Sequence, residues 1–157
     1  MVSFSQEKLD EYLRDPDLFE HELESLENAS SLSLDKSWEG IHFLLTGAKL
    51  GSGTPPLSLV IYSEQFFDEE QDLGMGPASY LTPAQVRTVS EILLAWDEQE
   101  LRARFDPVRM NQAEVYPFGW DQEPEEQFAY LRDNFIDLKK FYADAASRGA
   151  AIASYIG

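Results

Sequence analysis

Eight side chains of this sequence have types that could bind or transform a ligand. Histidine can accept or donate a proton near neutral pH, arginine and aspartate can hold a charged group, and tryptophan and tyrosine bury a large area while keeping a polar atom. These side chains lie on predicted loops and helix starts, and we treat them as one candidate binding cluster. They are Trp38, His42, Tyr80, Arg104, Asp106, Asn111, Tyr116 and Trp120. We assign a catalytic role to none of them.

His42 has two interpretations. In the first, which we favour, it is a buried, neutral imidazole hydrogen-bonded to a carboxylate or a carbonyl, because buried polar groups generally find partners. In the second, it is a general base or a ligand at the floor of a pocket, with Arg104 and Asp106 and beneath the loop 74–80. The second interpretation requires these three side chains to meet.

Several familiar catalytic and metal-binding patterns are missing. The chain has no Gly-x-Ser-x-Gly nucleophile motif and no cysteine, which excludes disulfides, thiolate chemistry and the common structural zinc sites. His21 and His42 lie on different predicted helices, the acidic stretch 64–72 lacks the spacing of a calcium loop, and 51–56 lacks the lysine of a phosphate loop. We therefore expect no metal and no cofactor. Paired carboxylates cannot be singled out among 29 acidic residues, so enzymatic activity stays open.

A predicted central helix must position this cluster. It starts at Asp35 or Ser37, either of which could cap its first turn, and it ends at Gly47, which suits a left-handed residue after a helix. Apolar residues surround His42 on nearly every side, so we expect the helix to be buried. Gly40 in its interior costs about 1 kcal/mol relative to alanine, which predicts that a neighbouring element packs closely against it.

The other segments predict an α+β fold. Apolar spacing and caps predict helices from Ser5 and Pro16, from Thr82 to about Trp96, over 98–104, after Asp106 and from Pro124 to Gly149. Two apolar runs, 57–62 and 150–156, predict strands that pair with each other. No linker or repeat divides the chain, and we expect one compact domain over 1–157, with several helices packed on a small sheet.

The segment 115–120 contains three aromatic residues, a proline and a glycine. It is too rigid for a helix and too interrupted for a central strand. We favour an aromatic plug packed beneath a loop. In the alternative, Tyr116 and Trp120 form an adhesive wall for a partner.

The net charge of −17 restricts the partners. Binding to nucleic acid or to an anionic membrane is disfavoured, because both need a basic patch. An acidic surface would instead steer a basic protein toward the molecule, although such surfaces more often serve solubility. The chain has neither a long apolar run nor the basic and apolar regions of a signal peptide, and we expect a cytoplasmic protein.

Four segments of the chain resemble a known family. They are Ser37-Trp38-Glu39-Gly40-Ile41-His42-Phe43-Leu44-Leu45-Thr46-Gly47, Leu73-Gly74-Met75-Gly76-Pro77-Ala78-Ser79-Tyr80-Leu81-Thr82-Pro83, Arg104-Phe105-Asp106-Pro107 with Met110-Asn111, and Tyr116-Pro117. In them the chain resembles the YfbM-like family of bacterial domains of unknown function. The resemblance covers nearly the whole chain and implies a single α+β domain, but no activity and no catalytic residues. Family members usually begin with a short apolar strand, whereas only Met1 precedes the matching segment 2–5 here. That difference predicts an open sheet edge, which could promote association.

Two hypotheses about function follow. The leading one is a non-enzymatic acidic module, resembling an inhibitor or an immunity protein, that binds a basic protein. The alternative is a small-molecule binding protein or enzyme with a pocket around His42, Arg104 and Asp106. The oligomeric state is left open by the sequence.

Overall fold

A computed structural model describes all 157 residues. The helices are α1 (Gln6–Arg14), α2 (Pro16–Ala29), α3 (Trp38–Thr46), α4 (Pro83–Leu94), α5 (Glu98–Arg104), α6 (Pro107–Gln112) and α7 (Pro124–Ser147). The strands are β1 (Val2–Phe4), β2 (Ser79–Leu81) and β3 (Ala151–Ser154). The predicted α+β class is confirmed. None of these helices combines the length and the apolar character needed to cross a bilayer.

The sheet has β3 at its centre, in the order β1-β3-β2, and both pairings are antiparallel. Val2 and Tyr80 lie on opposite sides of the same residue, Ala153. The predicted C-terminal strand is therefore present, but its predicted partner was wrong. Both neighbours of β3 come from other parts of the chain.

The segment 57–62 is not a strand. It begins with a short 3₁₀ helix, Leu57–Leu59, and continues into buried Val60 and Ile61. A continuous apolar run fits a buried turn as well as a buried strand, and the two prolines immediately before it lack the N–H groups that a ladder needs. The Tyr142 hydroxyl of α7 donates to the Val60 carbonyl at 2.8 Å, which fixes the turn against the core.

The prediction of an open sheet edge was also wrong. The first residues after Met1 form β1 themselves, and the segment after α2 covers the outer side of this strand. Ser3 N–H donates to the Ser30 carbonyl at 3.1 Å, and Val2 forms an isolated bridge with Ser31. On the opposite edge, a bridge to Phe66 covers β2. Neither edge presents the row of unpaired groups that favours association.

The predicted helix starts and apolar stripes are largely confirmed. Thr82 and Gln85 form the capping box at the start of α4, with the Gln85 side chain accepting from the Thr82 amide at 2.9 Å. The helix ends at Leu94, two residues earlier than expected, but Trp96 is still buried. Helix α7 packs on α3 and α4 through one apolar stripe in the larger core. The stripe consists of Phe128, Leu131, Phe135, Leu138, Tyr142 and Ala145, all of which are buried.

Helix α3 is the buried centre of the domain, as predicted. Every residue of α3 from Glu39 to Leu45 is buried, and Gly47 ends the helix at φ 73°. A Cβ atom on Gly40 would lie 2.7 Å from Leu131 Cδ2 and 2.7 Å from Trp120 Cη2. The expected close approach is therefore real, and it brings α7 and the segment 115–120 directly onto α3.

Candidate functional site

Trp38 and Tyr116 stack on each other at the surface of the domain. Trp38 is the first residue of α3, and Tyr116 follows α6. Their ring centroids are 5.5 Å apart at an interplanar angle of 21°. The ring of Phe118 meets Tyr116 edge-on at 6.2 Å and is 61% exposed. We call Trp38, Tyr116 and Phe118 the aromatic face.

The buried carboxylate of Glu39 joins the two parts of this face. Glu39 is 6% exposed. Its Oε2 accepts from the Tyr116 amide at 2.8 Å, and its Oε1 accepts from the Leu50 amide at 3.4 Å. A buried charge needs such donors, and hydrogen bonds to ionised groups are stronger than neutral ones. Glu39 therefore holds the segment 115–120 against the start of α3.

Trp120 and Asn111 form the support beneath the face. Trp120 is completely buried, and its Nε1 donates to the Val115 carbonyl at 2.8 Å. The Asn111 Oδ1 accepts from the Trp120 amide at 3.0 Å, and its Nδ2 donates to Asp121 at 2.6 Å. Trp120 is thus a packed plug, as the favoured interpretation of this segment proposed. Tyr116 is half-buried and lies at the surface instead.

The backbone is strained in both segments that form the aromatic face, near 115–120 and just before α3. Phe118 has φ 78°, and Glu114 has φ 53°. On the other side, Asp35 has φ 47° just before α3. A bulky residue such as phenylalanine is rare in this left-handed region, and holding it there costs about 1–3 kcal/mol. Strain of this kind is common at functional sites.

His42 lies elsewhere on α3 and is sealed in the interior. It has no exposed surface, and its Nε2 lies 2.9 Å from the Ser52 carbonyl oxygen. A carbonyl can only accept, so Nε2 carries the hydrogen. Nδ1 has no hydrogen-bond partner. Burial lowers the pKa of His42 below 6.5, against the weaker opposing effect of the carbonyls of Ser52 and Lys49. These contacts describe the buried, neutral imidazole that the first interpretation expected.

Arg104 and Asp106 have structural contacts of their own. The Arg104 guanidinium lies 4.7 Å from the Trp96 ring centroid and donates to the Leu45 carbonyl at 3.4 Å. Asp106 caps α6, where its Oδ1 accepts from the Arg109 amide at 3.0 Å. Neither contact involves His42.

The structure therefore divides the eight candidate residues into separate groups. Trp38, Asn111, Tyr116 and Trp120 come together, whereas Tyr80 stacks on Phe67 in the smaller core beneath the sheet, with ring centroids 5.1 Å apart. None of the three principal cavities is lined by His42, Arg104 or Asp106. His42 is fully buried, and the hydrogen bonds of Arg104 and Asp106 go to other residues. No three His, Asp or Glu side chains form a group that could hold a metal ion.

Sequence reasoning missed two residues of this region. Glu39 could have been noticed as the only acid in a helix that was expected to be buried, a position that demands hydrogen-bond partners. Phe118 lies between Pro117 and Gly119, the residues that typically shape a turn, and turns display their side chains to solvent.

Comparisons with known proteins identify the family. A family model described as a domain of unknown function (DUF1877) matches residues 1–155. Protein YfbM of Escherichia coli (strain K12) is 29% identical over 146 residues, which cover 88% of this chain and 83% of the relative. The crystal structure of YfbM from Escherichia coli, a protein of unknown function, superposes with a TM-score of 0.72 at 23% identity and covers 98% of each chain. At that identity the superposition supports the fold alone. The family model spans nearly the whole chain, and this protein is therefore a YfbM-like member of the DUF1877 family.

Proposed function

We propose that this protein is a non-enzymatic, cytoplasmic binding module, comparable in role to an inhibitor or an immunity protein, and that it binds a basic protein through the aromatic face. The observation that carries the proposal is Phe118. Its ring is 61% exposed although its backbone is held at φ 78°. A fold gains nothing for its own stability from strain that displays an apolar ring to water, whereas a partner that buries the ring would gain from it.

The composition of the aromatic face suits a protein partner. Aromatic residues are enriched among the side chains that contribute most to binding, because they bury a large area with few rotatable bonds. Trp38 and Tyr116 are already fixed by their stacking and by Glu39, so little conformational entropy would be lost when a partner docks.

The surroundings of the face favour a basic partner. Glu114, Asp121 and Glu123 are exposed at the two ends of the segment 115–120. Lys36 is the cation nearest in sequence to Trp38. With a net charge of −17 on the whole chain, a basic protein would be attracted at long range and would associate quickly at low salt.

The test begins with capture of partners from a lysate of the protein's own source at low salt, followed by purification and identification of the bound protein. Association of the purified pair is then measured at about 50 and about 500 mM salt. We expect the association rate to fall by roughly tenfold at the higher salt. We expect Phe118→Ala to weaken the affinity by about tenfold to a hundredfold, as loss of a central aromatic contact does.

Leu94→Ala is the matched control, because Leu94 is similarly exposed, at 65%, but lies on α4. It should bind like the parent. Trp120 is not a suitable test position, since its loss would damage the core. A partner that is not basic, or one that binds Phe118→Ala as tightly as Leu94→Ala, would refute the proposal.

A further inference from the structure

A cavity of about 420 Å³ lies beside the aromatic face. It opens between the end of α2, the loop that precedes α3, and the end of β3. Trp38 contributes to its wall, so the cavity and the aromatic face share one residue. Its volume falls within the range of about 300–1,000 Å³ that is typical of small-molecule sites.

Apolar side chains line part of the cavity, and three serines, Tyr155 and two acidic side chains line the rest. Leu34 and Ile61 are buried lining residues, and the indole of Trp38 adds an aromatic surface. The carboxylates of Glu27 and Asp35 are exposed and also line the cavity, whereas no lysine or arginine side chain does. The cavity therefore combines apolar surface with negative charge.

Only hydroxyl groups donate to the two carboxylates. The Tyr155 hydroxyl donates to Glu27, and the Tyr130 hydroxyl donates to Asp35 Oδ2 at 2.9 Å. A neutral donor leaves the negative charge of a carboxylate uncompensated. The amino group of Met1 lines the same cavity and donates to the Leu32 carbonyl at 2.9 Å. Burial lowers its pKa to about 6, against the weaker opposing attraction of Glu27, which weakens its compensation of the acidic charge.

Asp35 is also held in place before any ligand arrives. Its backbone is at φ 47°, and the Tyr130 hydroxyl that donates to it accepts from the Lys36 amide at 3.0 Å. The Tyr130 hydroxyl is therefore fixed by one hydrogen bond that it accepts and one that it donates. The other carboxylate oxygen of Asp35, Oδ1, remains available to a ligand. Such prior fixation lowers the entropy that binding would cost.

We infer that this cavity binds one alkylammonium or guanidinium group. The cation lies against Asp35 and Glu27, and its aliphatic stem lies along Leu34, Ile61 and the indole of Trp38. Both a small free amine and an arginine or lysine side chain have this chemistry. The inference goes beyond the proposed function and does not depend on it, because a free amine can occupy the cavity whether or not a protein docks on the aromatic face.

Two matched pairs of probes test the inference by calorimetry. For a free ligand, n-butylamine is compared with n-butanol, which has the same stem without the charge. For a side chain, N-acetyl-arginine amide is compared with N-acetyl-citrulline amide, its neutral analogue. We expect each cationic probe that enters the cavity to bind at least tenfold more tightly than its neutral counterpart.

The variant Asp35→Asn keeps the shape of the side chain and tolerates the left-handed backbone. We expect it to weaken binding of the cationic probes by roughly threefold to tenfold. Glu91→Gln on α4 removes a charge away from the cavity and should leave binding unchanged. Phe118→Ala should also leave it unchanged, which separates this inference from the proposed function.

The relative affinities decide the source of the cation. Tighter binding of n-butylamine supports a free amine, and tighter binding of N-acetyl-arginine amide supports a side chain. If neither cationic probe binds more tightly than its neutral counterpart, or if Asp35→Asn and Glu91→Gln bind alike, the inference is overturned.

Discussion

The substitution Gly40→Ala tests the packing that supports the aromatic face. Alanine at an interior helical position is normally more stable than glycine by about 1 kcal/mol. At this position the new methyl group would lie 2.7 Å from Leu131 Cδ2 and 2.7 Å from Trp120 Cη2, and such short contacts force neighbouring atoms to move. We therefore expect the usual preference for alanine to be reversed.

The two neighbours differ in how easily they can move. Leu131 Cδ2 is the end of a side chain and can shift with a change of rotamer. The indole of Trp120 is fully buried and is fixed by its hydrogen bond to the Val115 carbonyl. Overpacking of a rigid core typically costs about 1–3 kcal/mol, and we place this site in the upper half of that range. After subtraction of the helix preference, Gly40→Ala should lower the free energy of unfolding by about 1–2 kcal/mol.

Urea denaturation followed by circular dichroism measures this change, and the midpoint of thermal unfolding should fall by roughly 2–8 °C. Leu131→Val removes the Cδ2 atom, so the cost of Gly40→Ala should be smaller in that background than in the parent. Gly47→Ala is the control: it is strained by φ 73° but has no neighbour within 4 Å, so its cost should be the same in both backgrounds. A Gly40→Ala variant more stable than the parent, or equal costs in both backgrounds, would refute the packing argument.

Three further predictions concern other buried contacts. Glu39→Gln should lower the free energy of unfolding by about 1–3 kcal/mol in urea titrations. The neutral amide can accept from only one of the two backbone N–H groups that the carboxylate satisfies. An unchanged stability would contradict the role of Glu39 as the acceptor of both bonds. Because the pKa of His42 is lowered in the folded protein, the unfolded chain takes up a proton more readily near pH 6.5. The free energy of unfolding should therefore fall by up to about 1.4 kcal/mol per pH unit as the pH decreases below 6.5. This loss should be smaller in His42→Gln. Thr82→Ala should cost about 1 kcal/mol by removing the capping box, whereas Thr88→Ala on the exposed side of the same helix should cost less than half of that in the same thermal melts.

The parts of the fold that could be predicted from sequence are those set by local rules. The capping residues Ser5, Thr82 and Asp106 start helices because each side chain accepts from the amide three positions ahead. The close contact at Gly40 could be inferred because glycine is unfavourable inside a helix unless something else needs the space. Its partners, from α7 and the segment 115–120, could not be named from the sequence.

The predictions that were wrong concern contacts between distant segments of the chain. The run 57–62 has the composition of a buried strand, but β3 already has neighbours on both sides, from the N-terminus and from residues 79–81. The candidate cluster failed in a similar way. His42 and Trp38 lie on the same short helix, yet His42 contacts the carbonyl of Ser52 while Trp38 contacts Tyr116. A shared helix does not imply a shared site when its side chains point in different directions.

The aromatic face exists only when two distant segments are joined. The hydrogen bond between Glu39 and the Tyr116 amide links positions 77 residues apart, and the Trp38–Tyr116 stack depends on the same junction. A partner that binds the assembled face, and not the unfolded chain, must therefore stabilise the fold by mass action, by about 2.7 kcal/mol at a concentration of 100 times its Kd. The same argument applies separately to an amine in the neighbouring cavity, whose walls come from the end of α2, the start of α3 and the end of β3. Because the two sites share only Trp38, the two stabilisations should add unless that indole moves, and any departure from additivity would measure the coupling between the sites.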